Sequence, residues 1–514
     1  MDRVYRSSRQ VSWAVWCTAE VCLVLGGGSA VIAQPPESPT FSAQQRILEE
    51  QLRPLIQPEL RTPTVEDRFQ YDFGGILRYS GLWFEDHGPG GPFPIPGVPE
   101  FQGWRAAHDV DFRPWLSASL DKVHFGFIRG QFDYLTYADG DAFKRTSDWR
   151  GPFVDIGFYR FDLDQACRHY AYREIEDWNV DFTIGRQFLY VGRGIAFALV
   201  TDAVSFDWQC GDWAGMLFGS QSVRHFDNID RSVPGFTRSD REFFGAQIEY
   251  ERWDHHRPYA YVVTQRDRSG ESPENILQEY DYDSEYWGIG IQGEALFGEG
   301  ELGCGFQNLQ YFGEIIFQSG HSIGDDRDAA TISDNSDDIC AWALDTGLIY
   351  FPDHPTKPRV LLEFAHASGD DDRFSPQNTL FGNRPGTKDE NFLGFGFLNT
   401  GVSFAPLLAN LEFVRVAGAF KPFGGCDELC RSDLEIGSSF FAYWRPDENA
   451  GVSDIRADIP GNHFLGTELD VFLNWRISSD LYLLFNYGVF FPEADSFSVE
   501  RSRQFVGMTL TWLF

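Results

Sequence analysis

Residues Arg503–Phe514, RQFVGMTLTWLF, end the chain on a strict two-residue period. Val506, Met508, Leu510, Trp512 and Phe514 fall on one face of an extended segment. Phe505, Gly507, Thr509, Thr511 and Leu513 fall on the other. An apolar face, a mixed face and a terminal aromatic make the pattern of the closing strand of a transmembrane barrel, with lipid on one side and lumen on the other. The edge strand of a soluble sandwich is the alternative, and the rest of the chain has to decide between them.

Composition favours strands. The 514-residue chain carries 48 Phe, 20 Tyr, 15 Trp and 51 Gly but only 3 Met, which suits aromatic-rich strands joined by Gly/Asp/Pro loops. Mean hydropathy is −0.31, and past the N-terminus no apolar run reaches the roughly 18 residues of a helical span. A barrel hides its hydrophobicity in every second residue, so the low mean does not argue against a membrane.

The formal net charge of −34 excludes nucleic acid as a partner of a general basic surface. The acidic runs Asp325–Asp328, Asp334–Asp338 and Asp370–Asp372 read as solvated loops. None has calcium-loop spacing, so no metal is expected. HExxH, P-loop and G-x-S-x-G patterns are absent, and neither catalytic residues nor a cofactor are expected. Gly192–Phe197 (GRGIAF) is glycine-rich but follows a strand without opening a helix, which is not the geometry of a phosphate cradle. His255-His256 reads as a solvated turn.

Residues 1–33 read as an export signal, with Arg3, Arg6 and Arg9 ahead of the apolar stretch Val11–Leu25 and a small-residue cleavage site at Ala33. Residues 34–68 read as a periplasmic linker or short helix, since Ile47, Leu48, Leu52 and Leu55 keep helical spacing until Pro58 and Pro63 interrupt it. Residues 69–514 read as the barrel. Beyond the signal, Cys167, Cys210, Cys304, Cys340, Cys426 and Cys430 form an even set, which in an exported chain predicts disulfides. Cys167 and Cys210 fall on neighbouring periplasmic turns and could pair there. Cys304–Cys340 is a second pairing. For Cys426-x-x-x-Cys430 a disulfide is expected over zinc, because no further ligand pair lies nearby.

Nineteen segments read as strands, from Phe73–Phe84 through Leu393–Ala405 and Ala409–Phe420 to the closing strand. Short connections (Ser119–Lys122, Asp254–Arg257) alternate with long ones (Glu85–Ala106, Gln221–Glu242), the asymmetry of an outer-membrane barrel. A bacterial barrel needs an even number, so one segment between about 369 and 463 is misassigned and about 18 strands, within 16–20, are expected.

Alternation also sorts charge. Asp109, Asp111 and Arg113 share a face opposite Val110, Phe112 and Leu116. Arg129, Gln131 and Asp133 oppose Ile128, Phe132 and Tyr134, and Glu468, Asp470, Asn474 and Arg476 oppose Leu469, Val471, Leu473 and Trp475. A lysine or arginine facing lipid at midplane costs roughly 2–4 kcal/mol, so the charged faces are expected to line the lumen. They serve either a selective conduit or an interior merely filled with ion pairs.

Three patches resemble a known family. Gly185-Arg186-Gln187 with Tyr190, Gly192-Arg193-Gly194 and Asp202 resembles the GRQ…YG…R signature of the alginate-export outer-membrane barrels. Phe364–Asp372 (FAHASGDDD) is similar to that family's SGD-type loop. Gly466–Asp470 (GTELD) with Tyr487–Pro492 (YGVFFP) resembles its closing region. The resemblance implies an 18-stranded monomeric barrel in the outer membrane. Through it an anionic exopolysaccharide would pass from periplasmic export machinery, guided by basic lumen residues and gated by loops. Arg186 and Arg193 occupy motif positions, and Arg113 and Arg129 follow from the alternation; these four are the expected substrate-binding residues. The family's selectivity implies an arginine-rich lumen, whereas the inward faces here mix Asp and Glu with Arg. A general diffusion porin is the alternative, and a barrel-borne hydrolase or a structural surface protein is the reading from another class.

Overall fold

The structure is a computed structural model. It describes residues 68–514 apart from 88–101, 138–147, 174, 176, 224–239, 254, 269–281, 295–307, 324–335, 374–375, 377–382, 426–432, 455–456, 458 and 498–499. The expected export signal and nearly all of the linker lie outside the described residues, as do Cys304, Cys426 and Cys430.

Eighteen strands form one closed antiparallel sheet. They are β1 (Phe69–His87), β2 (Gln102–Leu120), β3 (His124–Tyr137), β4 (Asp148–Asp162), β5 (Trp178–Tyr190), β6 (Ala198–Cys210), β7 (Trp213–Ser222), β8 (Arg241–Tyr250) and β9 (His256–Asp267). The series continues as β10 (Tyr282–Glu294), β11 (Leu309–Ile323), β12 (Ser336–Tyr350), β13 (Arg359–Ala367), β14 (Leu411–Phe420), β15 (Leu434–Trp444), β16 (Phe464–Arg476), β17 (Leu481–Pro492) and β18 (Arg503–Leu513). Among the described residues one short helix, α1 (Leu163–Tyr170), joins β4 to β5 on the periplasmic side. Its first turn is capped by Asp162, whose carboxylate accepts the Gln165 N–H at 2.9 Å.

The barrel closes between β1 and β18, in register from Ile76↔Leu513 to Phe84↔Phe505. Phe514 extends that ladder, its N–H and C=O both bonded to the backbone of Gly75. A Cβ at Gly75 would meet the Phe514 ring at 2.3 Å, and that ring stacks on Phe112. The terminal aromatic is thus seated on a glycine of the first strand, and the absence of a side chain there is what admits it.

The outward face is an apolar sheath that includes Ile184, Leu348, Leu362, Val416, Phe440 and Leu510. Aromatics bound it at both ends: Trp178, Trp213 and Trp512 on the periplasmic side, Trp149, Trp287 and Phe491 on the outer side. Turns as short as 121–123, 211–212 and 477–480 close the periplasmic end. The long connections 368–410 and 445–463 belong to the outer end.

Two expectations need correction. Leu393–Ala405 is not a strand of the wall; it lies within the β13–β14 connection, and its removal brings nineteen to eighteen. Its alternation is real because the segment runs extended as far as the turn at 401–404, yet residues of both parities are buried: Phe395, Phe397 and Ala405 on one, Leu398, Val402 and Phe404 on the other. No lipid face remains, so the segment sits inside. Secondly, Cys167 and Cys210 are not bridged; both are free thiols, as is Cys340 on the outward face of β12. Cys167 is carried on α1 while Cys210 pairs opposite Trp178 in the wall.

Gly75→Leu displaces Phe514 from the seam. Overpacking of this kind costs about 1–3 kcal/mol, so the folded fraction in unboiled electrophoresis should fall and the urea midpoint should drop. An unchanged midpoint would show that the seam does not depend on this contact.

Candidate functional site

An unfilled barrel of 16–18 strands encloses water, and its inward side chains would be wet. Here they are dry over much of the lumen: Phe243, Tyr286 and Glu468 are fully buried. Two chain segments account for this. One is 191–197, between β5 and β6. The other is 391–405, in the β13–β14 connection.

The two segments are hydrogen-bonded to each other inside the barrel. Phe395 N–H donates to the Ala196 carbonyl at 2.9 Å, Ala198 N–H to the Phe395 carbonyl at 3.1 Å, and Phe397 N–H to the Gly194 carbonyl at 2.9 Å. This approach requires glycine at every second position of Leu393-Gly394-Phe395-Gly396-Phe397. A Cβ at Gly394 would lie 2.4 Å from the Ile195 carbonyl oxygen, and one at Gly396 would lie 1.8 Å from that of Gly194. The aromatic partners of this repeat pack into the wall. Phe395 meets Phe243 and Tyr286 at 5.4 and 6.1 Å, and Phe197 meets Phe218 and Phe243 at 5.2 and 4.9 Å.

Each segment is clamped by a buried carboxylate. Glu314 of β11 accepts the Arg193 N–H at 2.7 Å and the Tyr259 and Tyr261 hydroxyls at 2.6 and 2.9 Å. Gly192, at φ +53°, allows the chain to turn there, and a Cβ on it would be 2.2 Å from Glu314 Oε2. Glu468 of β16 accepts the N–H groups of Val402, Ser403 and Phe404 at 2.7, 2.7 and 2.8 Å. The Ser403 hydroxyl donates to the Arg503 carbonyl at 2.9 Å, and Phe404 stacks on Phe490 at 4.3 Å. Together the segments connect β9–β11 to the β16–β18 seam across the lumen.

The four expected arginines go to three places. Arg113 and Arg129 meet on the β1–β4 wall. Arg113 Nε donates to Asp111 at 2.7 Å and its Nη1 lies 3.4 Å from Asp155, to which Arg129 Nε donates at 2.8 Å. Arg78 joins through Asp111 at 2.7 Å, so guanidinium and carboxylate alternate along the wall. Arg193 crosses to the far side, where its Nε donates to Asp345 at 2.5 Å and its Nη2 lies 3.8 Å from Glu363, over the Phe312 ring. Arg415 completes that cluster, 3.3 Å from Glu363.

Arg186 is not in the lumen. It shares the outward face of β5 with Ile184 and Tyr190 and forms a two-pronged ion pair with Asp202 of β6 at 2.8 and 3.0 Å. The β4–β5 ladder ends at Gly157↔Arg186, and Arg186 Nη1 donates to the Val154 carbonyl at 2.6 Å just beyond it. Arg186 therefore satisfies a backbone acceptor where the ladder stops, with its own charge neutralised by Asp202.

Sequence reasoning found the inward charges but missed Glu314, Tyr259 and Tyr261, and it took the glycine–aromatic repeat 393–397 for wall. A strand facing lipid has no use for glycine at every second position; that was the available signal. Asp370–Asp372 gather at the outer end, where Asp370 accepts the N–H groups of Asp372 and Glu390 and Asp372 pairs with Arg384. Burial raises the Asp370 carboxyl above its ordinary range, opposed by those two N–H groups.

Gly396→Val separates the two segments, because its side chain cannot share space with Gly194. Amide exchange at Phe395 and Phe397 should accelerate by about tenfold or more while wall amides stay protected. Protection of both amides in a folded variant would contradict the pairing.

The alginate-export family profile matches residues 140–497, well over half of the chain. No curated protein matches it in sequence. Among solved structures, Acinetobacter baumannii OccAB1 is similar at TM-score 0.51 and 10% identity, over 88% of this chain and 99% of that one. Pseudomonas aeruginosa OccK8 (OprE) gives 0.49 at 8% identity over 87% and 98%, and OccK5 (OpdH) 0.48 at 9% over 86% and 98%. With an 18-stranded barrel, a lipid sheath and a segment-crossed lumen in place, the chain belongs to the alginate-export family and is an outer-membrane β-barrel of the channel type.

Proposed function

We propose that the protein is a passive outer-membrane conduit for an anionic, hydroxyl-rich polysaccharide or a similar polar solute, closed at rest by segments 191–197 and 391–405. The observation that carries the reading is the β1–β4 wall, where Arg78, Arg113 and Arg129 alternate with Asp111 and Asp155. Such a wall offers a carboxylate-bearing sugar both cations for its charge and acceptors for its hydroxyls. Asp111 Oδ1 and Gln131 Oε1 are buried acceptors without a donor among the described residues, the kind of group a sugar hydroxyl satisfies. Arg113, Arg129 and Arg193 are the substrate-contacting cations of this reading; Arg186, on the outer face, is not. Family membership supports passage out of the periplasm, with periplasmic export machinery delivering the polymer. Transport needs no bond to be made or broken, so the passage is not enzymatic.

Because every named lumen cation has a carboxylate partner, the conduit should discriminate by exchange of partners rather than by a standing positive potential. In planar bilayers, opened channels should therefore pass small ions with little preference, yet a polyuronate should block them at lower concentration than a neutral glucan of equal length. Arg113→Ala with Arg129→Ala should weaken that block by about tenfold, the equivalent of one good charge-assisted contact. Equal block by both polymers would favour a general diffusion porin. A folded protein without conductance under any condition would favour a structural surface protein.

A further inference from the structure

The Glu468 clamp has the form of a ligand site occupied by the protein's own side chain. Gly401, at φ +100°, turns the chain so that the next three residues, Val402, Ser403 and Phe404, point successive N–H groups at one place. Consecutive backbone N–H groups converging in this way form an anion-binding concavity. Glu468 fills it with both oxygens, Oε1 on Val402 and Ser403 and Oε2 on Phe404. A Cβ at Gly401 would lie 2.7 Å from Glu468 Oε1, so the turn is closed around the carboxylate. The Tyr443 hydroxyl, 3.3 Å from Glu468 Oε2, shares its single hydrogen between that oxygen and the Thr400 carbonyl at 2.9 Å.

The surroundings make this occupancy exchangeable. Asp470, on the same inward face of β16, lies against the Glu468 side chain. Arg415, the guanidinium near this wall, is taken by Glu363 at 3.3 Å and the Ser439 hydroxyl at 3.3 Å. Among the described residues Glu468 is thus held by backbone N–H donors and the Tyr443 hydroxyl, and pairs with no guanidinium. A carboxylate arriving from solution offers those donors the same chemistry.

We propose that the 402–404 backbone is a carboxylate-binding site for the transported polyanion, and that Glu468 is the internal surrogate that holds it shut. A uronate carboxylate displacing Glu468 takes over the three N–H groups, frees residues 391–405 from β16 and opens the lumen. The proposal rests on the conduit reading above and names the group of the substrate that opens it. It also gives the GTELD stretch a role: its Glu is the stand-in for the ligand.

The test is calorimetric binding of hexagalacturonate, with maltohexaose as the neutral control, to the full-length protein in detergent. Wild type is compared with Glu468→Ala, which vacates the site, and Glu468→Gln, which keeps an acceptor but removes the charge and guards against misfolding. Folding of each is verified by heat-modifiable mobility. Emptying the site should lower the hexagalacturonate Kd by about tenfold, with Glu468→Gln intermediate and maltohexaose unaffected. Equal Kd values in wild type and both folded variants would overturn the proposal, as would an equal gain for maltohexaose. Bilayer recordings of the same proteins separate this from the conduit reading. If that reading fails, no form conducts, yet the calorimetric difference remains; if only the surrogate role fails, conductance is present and the Kd values coincide.

Discussion

In hydrocarbon, every backbone N–H and C=O must find its partner within the protein. The architecture follows from that requirement. It forces the sheet to close, so β1 must meet β18, and the last residue must complete the ladder against Gly75. It fixes strand parity, because a chain that starts and ends at the periplasmic side needs an even number of crossings. It also explains Arg186, a charged residue on the outer face at the point where the β4–β5 ladder ends. Closure then leaves a lumen too wide for wall side chains to fill, and the protein fills it with its own chain.

The filling obeys different rules from the wall. Wall strands alternate apolar and polar because their two faces meet different solvents. The inward segments meet protein on both faces, so their alternation is glycine against aromatic, where glycine permits backbone contact and the aromatic supplies packing. Their polar ends are bound by carboxylates rather than by cations: Glu314 holds 191–197 and Glu468 holds 391–405. Charge-assisted bonds from N–H to carboxylate are strong but directional. A closure built on them is firm while aligned and is lost as a unit when the acceptor leaves.

The sequence made the barrel legible because its governing signal is local: one residue in two faces lipid, and the closing strand Val506–Phe514 divides as that rule requires. The inward faces Asp111/Arg113, Arg129/Asp133 and Glu468/Asp470 were legible for the same reason, and all are buried in the lumen. Which inward charges meet was not legible. Arg193 reaches Asp345 over 152 positions of sequence, and Glu314 meets Arg193 over 121; such pairings are set by barrel closure, not by spacing. Leu393–Ala405 misled because a two-residue period reports an extended chain, whatever its surroundings. The Arg186 motif position misled because a family signature identifies a residue without stating which way it points. The expected Cys167–Cys210 bridge rested on both residues lying at one end of the barrel, which they do, but being at the same end does not bring two thiols into contact.

The central claim is that residues 391–405 close the lumen from within rather than belonging to its wall. The most direct measurement is the single-channel conductance of a protein in which 391–405 is replaced by a short Gly-Ser linker, with barrel integrity verified by heat-modifiable mobility. The account predicts a folded barrel with a large, steadily open conductance. A barrel that fails to fold without the segment, or one that folds and conducts no more than the parent, would contradict it.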